Sequence, residues 1–458
     1  MSPEVISLIG IIIGLVVLVV LAFKGLNIIV VSLLASVIVA LFSGSSEILP
    51  FITDSFMTGF SNFAKNNYMI FLLSAIFGKL MGDCGAADAI AFNIMKLLDH
   101  VHNPRLKQLA GGLSITLIVA VLTYSGISLF VVVFTLIGIA RPLFKELNIP
   151  WRYYLVFHGI GSGTFTMSDL PGSASTQNLV PTQYLGTTAM AGAPIGITST
   201  ILQIICSVTF TVFLLKWARK RNEGFLPSGE LIEEAYKDED AEKALREKEA
   251  QNQLHIGLAV LPCIVLLVVM NVVGMHAIIA LTSAIVVILV LFGLIMHRLD
   301  NVKAAFATGA VNSITSVGMT CGVVGFGSVV AAVSGYQLVL DSLTSVPGAP
   351  IFKLWLAGNI AAGITGSSSG GYAIMIENMK DYFFGLGLSP EILHRVGLMA
   401  SAGMDSMPHT SGFVNNLQVC KLNHKQSYPA YFVISGVIPV CTSFICCVLL
   451  QVGILPGL

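Results

Sequence analysis

The sequence predicts an all-α polytopic membrane protein made of two inverted repeats, each with a re-entrant helical hairpin and a broken transmembrane helix. Three observations carry that prediction. The 458 residues are 55% hydrophobic and 10% charged, whereas an average soluble domain is about 25% charged. About ten runs approach the ~20 apolar residues that a helical span needs. Two polar, proline-broken stretches interrupt this pattern in corresponding places, 162–178 (SGTFTMSDLPGSASTQN) and 401–416 (SAGMDSMPHTSGFVNN). An offset of 240 residues superimposes Met167 on Met407, Gly172 on Gly412 and Pro150 on Pro390. Non-helical backbone at membrane depth survives only where it is buried in protein or lines a hydrated cavity. Paired interrupted segments in two halves therefore point to a site at a repeat interface.

Composition excludes other classes. The 24 basic and 24 acidic residues cancel, so nothing suggests a nucleic-acid partner. The first apolar run, 5–23, follows Glu4 without a cationic region or a cleavage site after it, and is read as a retained helix rather than a signal peptide. The eight cysteines lack metal spacing and lack a disulfide-like framework, which makes them small core residues. No nucleophile, base and orienter constellation is present, so the chain is not expected to be an enzyme, and no cofactor or metal is expected.

In chain order, residues 1–215 form the first membrane repeat, 216–254 a charged cytoplasmic linker, and 255–458 the second repeat. Runs 5–23 and 26–42 are two spans. In 78–90 (GKLMGDCGAADAI), Lys79 and Asp83 stand four apart on one helical face, the spacing of an ion pair, with Asp88 beyond them. The segment 109–143 is overlong for one span at about 1.5 Å per residue and short for two. It is polar in the middle, at TYSGIS (123–128), and has cations at both ends. A re-entrant hairpin satisfies length and charge together, and a second follows at 354–386, interrupted by GITGSSSGG (363–371). Broken crossings follow each hairpin, at 151–190 and 391–416. The linker holds eight basic and ten acidic residues, 18 of the 48 charges in the chain, and is read as a solvated connection. The loop 419–426 carries Lys421, His424 and Lys425, whereas its first-half counterpart 179–188 has no charge; opposite membrane orientation of the halves produces that asymmetry.

The four polar breaks contain hydroxyls, amides and glycines and no lysine or arginine. Half-helix N-termini suit an anion, so the expected ligand is a small organic anion held by dipoles and hydroxyls. The candidate substrate contacts are Thr123, Ser125, Ser128, Ser173, Thr176, Asn178, Ser367, Ser368, Ser369, Thr410, Ser411 and Asn415. Asp169, Asp405 and His409 are the candidates for carrying a coupling proton. His158, His276 and His394 stand alone in or near apolar runs and are read as packing residues.

The run GKLMGDCGAADAIA, together with PGSASTQN and the glycine-phenylalanine of SGFVNN, resembles the gluconate permease (GntP) family, and the likeness extends over essentially the whole chain. More distantly the chain resembles the ion transporter superfamily. The resemblance implies inverted repeats, a homodimer in a bacterial inner (cytoplasmic) membrane, an elevator in which a transport domain moves past a scaffold, and uptake of a small hydroxy acid in symport with protons. Gluconate-type members carry a histidine and prolines before the first Pro-Gly, where this chain has Met167, Ser168, Asp169 and Leu170. In the second break they carry His-x-Asn-Asp-Pro-Gly-Phe, where this chain reads Met407 to Phe413 as MPHTSGF. A less hydroxylated acid such as 3-hydroxybutyrate fits that reduced polarity better than gluconate. Sodium coupling is the alternative to protons, because unwound carbonyls also make sodium sites, and an anion channel is a third reading.

Overall fold

The computed structural model describes residues 2–124, 129–173, 175–236, 254–273 and 275–456, and every regular element among them is a helix. The first half contains α1 (Pro3–Phe23), α2 (Ile28–Leu41), α3 (Met57–Asp83), α4 (Ala86–Leu98), α5 (Pro104–Tyr124), α6 (Leu129–Glu146), α7 (Tyr154–Ser162), α8 (Phe165–Ser168), α9 (Thr176–Leu185) and α10 (Ala193–Lys220). The second contains α11 (Ile256–Leu267), α12 (Ala277–Ile288), α13 (Val302–Ala332), α14 (Ser334–Ser345), α15 (Pro350–Thr365), α16 (Ser368–Gly385), α17 (Pro390–Met404), α18 (Ser411–Cys420), α19 (His424–Phe432) and α20 (Ile438–Gln451). Among the described residues, six helices are long and apolar enough to cross a membrane, fewer than the runs counted in the sequence. The difference has a structural cause: several apolar runs are divided into shorter helices by the polar breaks, and α2 and α11 are short.

Local chemistry sets the helix starts. Pro3, Pro350 and Pro390 occupy first-turn positions, where a missing N–H costs nothing. The side chains of Asn27, Asn301 and Ser389 accept from the first-turn N–H groups of α2, α13 and α17, and Asn423 with Gln426 closes a capping box at α19. Lys79 and Asp83 form the expected ion pair, 2.9 Å apart on α3; the side chain of Asp88 lies outside the described residues.

The halves interlock reciprocally. α1 packs on α14 of the other half and α11 on α4, α2 on α13 and α12 on α3, α9 on α16 and α18 on α6. The Ser7 hydroxyl of α1 accepts from the Gly335 N–H at the start of α14, 3.0 Å away. Through the centre run the long helices α3 and α13, in contact along much of their length. A side chain at Gly59 would strike Ser328, and one at Gly309 would strike Ile76; glycine there lets the two backbones approach closely. The apolar core falls into two large clusters and a small one around Ala22, Ile28, Val323 and Val414. One large cluster gathers α3 to α7 with α11 and α12, and the second gathers α1 and α2 with α13 to α17 and α20.

Each helix pair expected to be a hairpin consists of two helices packed together. In the first, α5 ends at Tyr124 and α6 starts at Leu129, while residues 125–128 lie outside the described residues. In the second, the interruption is confined to Gly366 and Ser367; Gly363 to Thr365 end α15, and Ser368 to Gly371 form the first turn of α16. Gly366 adopts φ +66°, and a Cβ there would lie 3.1 Å from the His409 ring nitrogen Nε2. Left-handed backbone costs an L-residue about 1–2 kcal/mol, so Gly366→Ala is expected to lower stability by about that amount. A thermal midpoint of the detergent-solubilised variant equal to the wild type would remove this account of the turn.

The first part of the charged segment read as a linker packs against the membrane helices. α10 continues through Lys220, and residues 221–236 dock on the first half. Glu233 bridges Arg141, at 2.9 Å, and Lys145, and Glu223 pairs with Arg152. The Arg141 guanidinium lies over the Tyr236 ring, Phe225 and Ile232 are buried, and the Asn148 side chain accepts from the Phe225 N–H. The acidic residues of this segment therefore neutralise cations at the ends of α6 and α7. Partly exposed pairs of this kind are worth about 1 kcal/mol or less. Glu233→Gln should thus speed proteolytic cleavage within this segment by up to about fivefold, and an unchanged cleavage rate would show that the apolar pegs alone hold it.

Candidate functional site

Four helices begin at the polar breaks, and all four starts reach one cavity of about 440 Å³. Leu129 and Phe130 come from the first turn of α6, Gln177 from α9, Ser368 to Gly370 from α16, and Ser411 to Phe413 from α18. Helix N-termini carry unpaired N–H groups and the positive end of the macrodipole. Opposing them are helix ends: Ser162 to Thr164 after α7, Thr365 and Gly366 after α15, and Asp405 after α17. The central helices close the remaining wall with Phe63 and Asn67 of α3 and with Val323, Val324, Gly327, Ser328 and Ala331 of α13. Among the described lining residues Asp405 carries the one formal charge, and there is no lysine or arginine.

Of the residues singled out in the sequence, Ser367, Ser368, Ser369, Thr410, Ser411 and Asp405 line this cavity. Asp405 is partly accessible; the Ser406 hydroxyl donates to its Oδ1 at 3.2 Å, and the hydroxyl and N–H of Ser368 also face it. Ser367 caps α16, its hydroxyl accepting from the Gly370 N–H at 3.1 Å. Thr410 stands at the cap position of α18 with no such bond, which leaves its hydroxyl available to the cavity.

The other candidates lie elsewhere. Thr123 is buried between α5 and α7 and donates to the carbonyl of Gly161 at 2.8 Å. The Ser173 hydroxyl is buried and accepts from the Ser175 N–H at 3.3 Å. Asn178 acts as a clamp: its Nδ2 donates to the carbonyls of Ser173 (2.9 Å) and Ala189 (3.0 Å), and its Oδ1 lies 3.2 Å from His394 Nε2. Asp169 is fully buried and accepts from Ser168 and Gln203, each at 2.6 Å, and from Ser199. His409 packs edge-on against Phe326, and neither its ring nitrogens nor the amide of Asn415 has a hydrogen-bond partner among the described residues. Ser125, Ser128 and the side chain of Thr176 lie outside the described residues. His394 also meets the Thr187 hydroxyl, 2.7 Å away, and His276 caps α12.

Several lining residues were not legible beforehand. Asn67 and Ser328 sit on uninterrupted helices, and nothing in their immediate sequence marks them. Gln177 and Asn416 are each one residue from an asparagine that was singled out; their side-chain oxygens have no hydrogen-bond partner among the described residues, and both residues line the cavity. The signal for Asn416 exists once α18 is known to start at Ser411, since the i, i+4 spacing puts it on the face of Gly412. Arg395 of α17 was also missed. Fully buried, it donates from Nε to the Ala191 carbonyl (2.9 Å), from Nη1 to that of Ser168 (2.7 Å) and from Nη2 to that of Ala189 (3.1 Å). The first break, read as free of cations, therefore has one inserted from the other half, outside the cavity lining.

No family model matches the chain. It is 30% identical to a protein of Bacillus subtilis (strain 168) named as an uncharacterized transporter, YxjC, over 90% of this chain and 92% of that protein. The chain belongs to the YxjC transporter family. A match of that extent takes in both halves, and with the apolar helices it marks the chain as a multi-pass membrane protein.

Proposed function

We propose that this YxjC-family protein is a secondary-active transporter carrying a short hydroxy-monocarboxylate, such as 3-hydroxybutyrate, in symport with protons. The observation that supports it most is the convergence of four helix N-termini on a cavity whose described lining residues include one carboxylate and no lysine or arginine. The substrate carboxylate sits at the starts of α16 and α18, where backbone N–H groups and the hydroxyls of Ser368, Ser369, Thr410 and Ser411 donate to it. Asp405 shares the cavity. Two negative charges about 4 Å apart repel by about 4 kcal/mol at an effective dielectric of about 20, so the substrate anion binds when Asp405 holds a proton, and the pair crosses as a neutral unit. Asp405 is thus the coupling residue, in preference to Asp169 and His409, which lie away from the lining. Reciprocal packing of the halves and the charge asymmetry of their loops support two repeats of opposite orientation, and alternating access by movement of the hairpins and broken helices past the rest. The likeness to gluconate permeases supports a homodimer in a bacterial cytoplasmic membrane.

One further observation favours a second reading. The helix ends at Thr164, Gly366 and Asp405 bring carbonyl oxygens and a carboxylate to the same cavity, which suits sodium as the coupling ion. The deciding experiment is uptake of labelled 3-hydroxybutyrate into proteoliposomes under an imposed pH gradient without sodium. Accumulation abolished by a protonophore is the expected result. Accumulation that ignores the protonophore and requires a sodium gradient selects the second reading, and accumulation under neither gradient overturns both.

A further inference from the structure

Part of the cavity lining is aromatic. Phe63 of α3 and Phe130 of α6 meet edge to face with ring centroids 5.7 Å apart. Phe71, fully buried, lies behind both, at 6.2 Å from Phe63 and 4.9 Å from Phe130. Phe63 and Phe130 are partly accessible and line the cavity; Val323, Val324 and Ala331 of α13 and Ile374 of α16 continue the apolar surface. The cavity, at about 440 Å³, is several times larger than a four-carbon acid. A substrate that fills it with its carboxylate at the starts of α16 and α18 brings the rest of its surface against these rings.

We infer that the Phe63–Phe71–Phe130 cluster is an apolar subsite, and that the preferred substrate is a hydroxy-monocarboxylate whose far end is a branched aliphatic or aromatic group. This rests on the transport reading above and deepens it. Each methylene removed from water contributes about a fourfold gain in affinity, so affinity rises along a series of increasing apolar length until the cavity is full. Aromatic ends gain further from edge-to-face contact with Phe130. A polyol acid behaves in the opposite way. Hydroxyls placed against Phe63, Phe130 and Val324 find partners only where Asn67 or Ser328 is within reach, and each one buried unpaired costs roughly five- to a hundredfold in affinity. The subsite thereby rejects gluconate.

The test uses the full chain in proteoliposomes, with labelled 3-hydroxybutyrate exchanged against internal 3-hydroxybutyrate and competed by 2-hydroxy-4-methylpentanoate, 3-phenyllactate and gluconate. Half-inhibitory concentrations are expected to fall at least tenfold from unlabelled 3-hydroxybutyrate to 3-phenyllactate, and gluconate to compete least. Phe130→Leu, which keeps the site apolar while removing the ring, should shrink the ratio between 3-phenyllactate and 3-hydroxybutyrate at least threefold. The ratio is the readout, so a uniform loss of active protein does not imitate the effect. Exchange of 3-hydroxybutyrate with no trend along the series, with gluconate competing best, or with a ratio unmoved by Phe130→Leu overturns the subsite and leaves the transport reading standing. Should none of the four acids bind or exchange, the transport reading fails and the subsite with it.

Discussion

Asp405→Asn is expected to abolish accumulation of the organic anion under a pH gradient, by about a hundredfold or more, while exchange of external for internal substrate continues. Asparagine has the shape of a neutral carboxyl group and can still accept from Ser406, whose hydroxyl lies 3.2 Å from Oδ1 in the wild type. It cannot release a proton. The variant is fixed in the state that accepts the anion, so loaded carriers shuttle in both directions but the empty carrier no longer resets its charge. The sign of the pH dependence follows. In the wild type, raising the pH ionises Asp405, and repulsion worth about 4 kcal/mol at close range corresponds to roughly a thousandfold loss of anion affinity. Wild-type exchange therefore slows as pH rises, whereas exchange by Asp405→Asn stays level. Counterflow measured in proteoliposomes across the pH range separates the two curves. Gradient-driven accumulation by the variant at the wild-type level would remove Asp405 from the coupling role.

How much of this could be read from residues alone depends on what kind of physics fixes each feature. Membrane insertion was legible because the bilayer acts on composition, and the helix breaks were legible because glycine, proline and runs of hydroxyl residues break helices whatever their tertiary partners. Which side chains face the cavity depends on helical phase, and phase depends on the residue at which each helix restarts. One residue turns a side chain by about 100° around the helix. Asn178 and Asn415 were singled out where Gln177 and Asn416 line the cavity, each a single step away. Ser368 and Ser369 survived that uncertainty because they belong to a run of three serines, any phase of which presents a hydroxyl. Phe63, Asn67 and Ser328 reach the site from regular helices with no local irregularity, and only the packing of α3 against α13 brings them there. Glu223 and Glu233 belong to a run whose composition says solvated, yet cations 71 and 88 residues earlier in the chain hold them in place.

Arg395→Met should be the most destabilising of these changes, at about 3–5 kcal/mol. The break after α8 leaves carbonyl groups without helical partners, and the chain returns to them from the other half with one guanidinium. Its three bonds reach Ser168, Ala189 and Ala191, which fastens α17 to both sides of the first break. Gly196 stands between the two, where any Cβ would fall within 2.1 Å of the Asp169 carbonyl and 3.1 Å of Arg395 Cδ. Asp169 is a nearby carboxylate that acts on Arg395 through space, without a direct ion pair among the described residues. Methionine fills a similar volume but leaves three buried carbonyls unpaired, each at a cost of about 1–3 kcal/mol. Arg395→Lys should recover less than half of this, because one ammonium cannot reproduce a planar fork aimed at three acceptors. Thermal unfolding in detergent, followed by a thiol-reactive dye that reports exposure of the buried Cys446 and Cys447, measures both variants. The double variant Arg395→Met/Asp169→Asn distinguishes a charge pair from a carbonyl clamp. If the pair dominates, removing both charges restores most of the lost stability; if the clamp dominates, the double variant melts with Arg395→Met, since the carbonyls of Ser168, Ala189 and Ala191 are orphaned in both. Three donor bonds at 2.7–3.1 Å, against a carboxylate already satisfied by Ser168, Ser199 and Gln203, favour the clamp, and a full rescue by the second substitution would reverse that assignment.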